Sequence, residues 1–283
     1  MPSTVGDVLA ILAARYPLTD AESWDRVGLL AGEPDGPAAY IVCALDPTRS
    51  TLDAVAALGA NALVTHHPTY LQPEPGSEAP AYGRSLEERA QEAGIALLAF
   101  HTNLDVSESA RLSLGAALPL TPVKPLVTET DEEGRPRPAF AQLWEPSEEL
   151  TAARAAALLA DYYQAPLRLT TSCSLGGGAA APLTRVVTAT GSGGGALDAA
   201  IAAGAGLLIT GELKYHQLLE ARDRGLSCVE LGHDVSEWPL VAILHDTLVE
   251  QCAGRSVTVT LLERELPCCI VGADHGPKES HAH

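Results

Sequence analysis

The chain has 283 residues, room for one large or two modest domains, and is 46% apolar but only 4% aromatic, so its core must rest on Ala, Leu and Val rather than on large rings. Its 18 Lys+Arg against 36 Asp+Glu leave a formal charge of −18, which disfavours a nucleic-acid backbone as the primary partner. The N-terminal segment MPSTVGDVLAILAARYP lacks a basic start and a small-residue cleavage site, and no run approaches about 18 apolar residues, so neither a signal peptide nor a membrane span is expected.

Six scattered cysteines without a CxxC pair suit a reducing, cytoplasmic setting with structural thiols. Apolar runs near 39–45, 62–65 and 95–100 predict strands, and segments 49–59 and 82–93 predict helices, a βαβαβ series. Residues 107–137 read as a helix followed by an exposed connection, PLTPVKPLVTETDEEGRPRP, which marks a boundary. Beyond it, AFAQLWE predicts a strand, SEELTAARAAALLADYYQA a helix opened by an imperfect capping box at Ser147, and PLRLTT another strand. A second βαβ unit runs from RVVTATG through GSGGG and a short Ala-rich helix to AGLLIT. ELKYHQLLEARDRG then reads as helix, SCVEL as strand, SEWPLVAILHDTLVEQC as a helix capped by Ser236, and SVTVTLLERE as a last strand before an uncertain tail.

Chemistry gathers at three strand ends. ALVTHHP carries an apolar run straight into His66, His67 and Pro68, and proline cannot continue a central strand. Neighbouring residues of a regular strand point to opposite faces, so one ion could not readily take both rings, whereas two ions, or a sharp turn at Pro68, could. ALLAFHTNLD ends in His101 and Asp105, and CVELGHDVSEW passes through Gly232 to His233 and Glu237. In open α/β sheets such strand ends converge on a ligand site. Imidazole and carboxylate ligands suit zinc, iron, manganese or nickel, and a carboxylate can bridge two ions. A hydrogen-bonded structural histidine remains the alternative at each position.

Other features read both ways. Glu212 and His216, taken as four apart on one helix, could orient ligands or simply pair on the surface. Asp46 could line the same rim or cap the helix near Thr48. GSGGG at 191–195 departs from GxGxxG, with Ala196 in the third position and no Walker lysine, and is read as a tight strand-to-helix turn. His275, His281 and His283 belong to the tail.

Together WDRVGLLAG (24–32), CALDPT (43–48), VTHHP (64–68), FHTNLD (100–105), TGSGGG (190–195), ITGELKYH (209–216) and GHDVSE (232–237) resemble, in order, the Nif-three-like (YbgI-type) family, often labelled GTP cyclohydrolase 1 type 2 homologues. The resemblance implies a Nif-three-like α/β fold of two interlinked layered domains with mixed sheets. Residues 1–125 would form the first, carrying the HH and HTNLD motifs; 135–283 would form the second, carrying GHDVSE, its C-terminal portion being a candidate to complete the first. It also implies a toroidal homohexamer and two divalent metal ions held by His66, His67, Asp105, His233 and Glu237, with His101 close by as a candidate catalytic proton donor. The expected function is metal-dependent hydrolysis of a nucleotide or small phosphorylated substrate; the alternative is a non-enzymatic metal-binding, regulatory or scaffolding hexamer.

Overall fold

A computed structural model describes residues 3–73, 76–127, 137–172 and 178–265. Its first part contains α1 (Val5–Arg15), β1 (Gly28–Ala31), β2 (Tyr40–Ala44), α2 (Arg49–Ala57), β3 (Ala62–Thr65), α3 (Ala81–Glu92), β4 (Ala96–Ala99), α4 (Thr102–Asp105) and α5 (Glu108–Ser113). There follow β5 (Leu120–Leu126), β6 (Ala141–Pro146), α6 (Ala152–Tyr163), β7 (Arg168–Thr170), β8 (Val186–Ser192), α7 (Leu197–Ala202), β9 (Leu207–Glu212), α8 (Tyr215–Asp223), β10 (Ser227–Glu230), α9 (His233–Gln251) and β11 (Thr258–Leu261).

These elements make two mixed sheets, in the orders β1-β4-β3-β2-β11 and β5-β6-β8-β9-β10-β7. In the first, β4, β3, β2 and β11 run parallel and β1 is antiparallel at the edge. In the second, β8, β9 and β10 form the parallel centre. The side chains of β2 show why the first sheet needs cover on both faces: Ile41 and Cys43 enter a core with α1 and α9, while Val42 and Ala44 enter one with α2 and α3. That alternation is the two-residue period of a pleated strand, and burial on both sides explains the continuous apolar runs. The second sheet is likewise packed between α6 on one face and α7 with α8 on the other.

Helix α9 ties the sheets together. It starts at the end of β10, and its later turns place Leu240, Val241, Leu244 and Leu248 in the core of the first sheet. β11 then pairs with β2. Among the described residues no helix is long and apolar enough to cross a membrane.

Three local expectations are corrected. PLTPVKPL is not wholly a connection: it forms β5, an edge strand whose register shifts between Pro122 and Lys124. An edge strand needs ladder partners on one side only, so its prolines are tolerated. Helix α6 begins with Thr151 as cap, its hydroxyl accepting from the Arg154 N–H, rather than at Ser147. Helix α9 begins at His233 after Gly232, whose φ of 98° suits glycine, so Ser236 lies inside the first turn. The acidic residues 129–133, Cys173, Cys268, Cys269 and the tail histidines lie outside the described residues, whereas Cys43, Cys228 and Cys252 are buried free thiols.

Candidate metal centre

His66 and His67 continue from β3, their backbone N–H groups donating to the Ala44 and Leu45 carbonyls at 3.3 and 3.0 Å. The rings do not diverge as they would in a regular strand. The Thr65 hydroxyl donates to the His67 carbonyl at 2.7 Å, folding the chain back on itself, and the ring centroids lie 4.9 Å apart. His101 is the residue before α4, which carries Asp105 at its end; its ring lies 5.1 Å from that of His66 and 5.4 Å from that of His67. His233 and Glu237, one turn apart on α9, complete the set, with the His233 ring 5.5 Å from that of His67. All six residues singled out in the sequence therefore meet at one place.

Glu237, 4% exposed, divides the cluster. Its Oε1 lies 3.7 Å from His66 Nε2, which is 3.6 Å from Asp105 Oδ1. Its Oε2 lies 2.9 Å from His67 Nε2 and 3.1 Å from His233 Nε2. Atoms sharing an ion at about 2.1 Å stand roughly 3.0–3.4 Å apart, so both groups have nearly the spacing of a ligand shell. The ligating atoms of His66, Asp105 and Glu237, and those of His67, His233 and Glu237, each lie within 4.8 Å of one another. These buried histidine and carboxylate groups can hold metal.

The far nitrogens show which way the rings are prepared. Nδ1 of His66 donates to the Phe100 carbonyl at 2.9 Å, that of His67 to Asp46 at 2.7 Å, that of His101 to Asp25 at 2.9 Å and that of His233 to Glu212 at 3.1 Å. A carbonyl or carboxylate only accepts, so Nδ1 carries the proton and Nε2 presents a lone pair. Lone pairs on His66, His67 and His233 thus face carboxylate lone pairs, and His66 Nε2, Asp105 Oδ1 and Glu237 Oε2 are buried without a hydrogen bond despite their short separations. Such an arrangement calls for a cation, and carboxylate-backed imidazoles are the usual second layer of a metal site.

The electrostatics agree. With protons as the only cations, burial opposes charge on His67, yet hydrogen bonds to Asp46 and Glu237 override it and lift the pKa to about 10. The hydrogen bond to Glu237 is the chief cause that lifts His233 to about 9, against burial. Burial raises Asp105 above the ordinary carboxylate range. For Glu237 burial pulls the same way, but His66, His233 and His67 draw it well below that range. The cluster attracts positive charge strongly.

Several glycines let the second sheet approach. A Cβ on Gly191, at φ 58°, would stand 2.1 Å from Glu237 Oε1, and one on Gly211 would stand 2.5 Å from Ser236 Oγ. Ser236 accepts from the Gly191 N–H at 2.9 Å and donates to the His233 carbonyl at 2.9 Å, locking the first turn of α9 to β8. The glycine-rich motif is thus a passage for Glu237 rather than a complete phosphate loop.

Some roles escaped the sequence reading. Asp25 is buried, its Oδ2 accepting from the Thr102 N–H at 3.0 Å while Oδ1 holds His101. Its signal was present in WDRVGLLAG, without a hint of its partner. Glu212 ends β9 rather than lying on a helix with His216, and α8 starts only at Tyr215; this strand-end position is what brings it to His233. Asp46 supports His67, while Thr48 caps α2.

Beside the cluster opens a cavity of about 570 Å³ whose lining includes Trp24, Tyr70, Phe140, His101 and Arg137. That volume is in the range of small-molecule sites.

A model of the Duf34/NIF3 (NGG1p interacting factor 3) family matches residues 3–267. A Streptomyces coelicolor protein named GTP cyclohydrolase 1 type 2 homolog is 33% identical over 238 residues, covering 83% of this chain and 82% of that protein. Two solved structures share the fold: a hypothetical protein of Staphylococcus aureus (TM-score 0.77, 22% identity, covering 93% of this chain and 97% of that one) and a Bacillus cereus protein related to NIF3 (TM-score 0.76, 19% identity, covering 95% and 99%). From the family model across nearly its whole length and a relative one-third identical over most of both sequences, the chain belongs to the Duf34/NIF3 family.

Proposed function

We propose that this protein binds two divalent metal ions and uses them as a hydrolase acting on a nucleotide or another small phosphorylated molecule. The observation that carries the reading is the division of Glu237: one oxygen faces His66 beside Asp105, the other faces His67 and His233. His66 and Asp105 would hold one ion and His67 with His233 the other, Glu237 serving both. When bound, such ions supply Lewis acidity to a substrate oxygen and lower the pKa of water.

The chain's own groups provide the rest. Asp25 fixes the His101 ring through Nδ1, which leaves Nε2 to take or give a proton at the cavity wall. Trp24, Tyr70 and Phe140 supply flat apolar walls, suited to a ring system and to limiting water. The name of the Streptomyces coelicolor relative points to a guanine nucleotide, whose imidazole ring opening would require water and a proton donor, the role proposed for His101.

Protein stripped of metal and reloaded with zinc, manganese, iron or nickel should contain two ions per chain by elemental analysis, confirmed by anomalous scattering, and should turn over some member of a nucleotide and phosphoester panel. Full loading without turnover across the panel would reject the hydrolase reading and favour a non-enzymatic metal-binding role. Less than one ion per chain would reject both.

A further inference from the structure

The cavity beside the cluster is framed by acids. Glu22, Asp105 and Glu237 line it, and Asp25, Asp46 and Glu212 stand behind its histidines. Among the described residues that line it, Arg137 is the only lysine or arginine. In a chain with a formal charge of −18, an arginine in an acidic cavity is a distinctive group. Arg137 precedes β6 in the second sheet, and its guanidinium pairs with Glu22 from the segment before β1 in the first. The pair therefore crosses between the two halves. Glu22 is itself fixed by its backbone N–H, which donates to the Thr102 hydroxyl at 3.0 Å, next to His101.

Both partners are partly exposed, at 36% and 27% of their side-chain surface, and an ion pair that water reaches contributes little to stability. A guanidinium pairs with a phosphate in the same planar geometry that it uses for a carboxylate, so a ligand's anionic group can replace Glu22 without a new geometry. The nearby rings of Trp24, Tyr70 and Phe140 stand out in a chain with so few aromatic residues.

We propose that Arg137 is the anion-recognising specificity residue of this cavity: it takes the phosphate or carboxylate of a flat-bodied small ligand, and Glu22 holds its place until that ligand arrives. The assignment rests on the reading of the cavity as a small-molecule site, and it names which charge the ligand must bring and which residue reads it. Ligand exchange needs no bond chemistry: the guanidinium turns from the Glu22 carboxylate to the ligand's anionic group.

The test compares guanosine 5′-monophosphate with guanosine by isothermal titration on metal-loaded wild-type protein and on Arg137→Gln and Glu22→Gln, with metal content measured in each sample. Any hold of the ions on the phosphate is common to all three proteins at equal loading, so the differences report the side chains. Arg137→Gln should weaken the monophosphate tenfold or more and leave guanosine within twofold. Glu22→Gln should tighten the monophosphate severalfold, because a resident carboxylate that competes for the guanidinium is gone. An unchanged monophosphate affinity in Arg137→Gln, an equal loss of both probes, or no binding of either probe to loaded wild type overturns the assignment. Parallel weakening in both variants also overturns it, since the pair would then be a clamp between the sheets. Failure of the wild-type protein to load with metal would instead strike at the proposed metal centre and is read separately from the comparison of side chains.

Discussion

Asp25 illustrates how much a single buried carboxylate can organise. Burial raises its pKa, but the hydrogen bonds and charge of His101, with the bonds from Thr102, outweigh that penalty and lower it from 3.8 to about 2. A lowered carboxylate stabilises the fold above its unfolded value and loses that contribution as pH falls through the folded one. The window is therefore from roughly pH 4 down to about 2, and the difference corresponds to about 2 kcal/mol. Asp25→Asn should lower stability by about 1–3 kcal/mol in urea unfolding at neutral pH and flatten the acid limb of the stability profile. Metal content should stay near wild type, because Asp25 supports His101 rather than the residues around Glu237. An unchanged urea midpoint would contradict this account. The clustered histidines and carboxylates were legible in the sequence because each lies at, or within a few residues of, the end of an apolar strand. Of their partners, Glu212 was legible as a ligand-orienting candidate but was placed on a helix rather than at the end of β9, and Asp25 was not legible, since accepting a hydrogen bond from a ring's far nitrogen leaves no periodicity.

At the scale of elements, the βα rhythm was readable because strands buried on both faces become unbroken apolar runs, as in ALVT of β3. What failed was governed by neighbours. Whether prolines can sit in β5 depends on its being at a sheet edge, and the start of α9 is set by Gly232, which has no side chain to announce a cap. The glycine motif has a meaning that only packing reveals. Gly191→Ala would bring a methyl within 2.1 Å of Glu237 Oε1 and hold alanine at φ 58°, whereas Gly59, at φ 70°, has nothing within 4 Å of the same methyl. Both substitutions should cost about 1–2 kcal/mol through the backbone. Only Gly191→Ala should also lose metal, which elemental analysis of the two variants beside wild type would read. Equal metal content in both would mean that Glu237 does not depend on this passage.

On the scale of the whole molecule, the cluster is a joint. His66, His67 and Asp105 belong to the first sheet's strand ends, whereas His233 and Glu237 open the helix that leaves the second sheet. Charge balance at the joint should therefore be felt in global stability, and protons and metal should act with opposite pH dependence. His67 and His233 have pKa values of about 10 and about 9, raised from 6.5. Raised histidines contribute stability in full below their unfolded value and lose it as pH climbs through the folded ones, so metal-stripped protein should become less stable from about pH 7 to 10. Metal needs the same nitrogens without protons, so its affinity should rise over that interval as it displaces them. Thermal melts of stripped and zinc-loaded protein between about pH 6 and pH 9 should thus diverge, the stripped midpoint falling while the increment from zinc grows. An increment that shrinks with rising pH would show that the ions bind elsewhere, because nowhere else among the described residues do lone pairs of three histidines meet at one carboxylate.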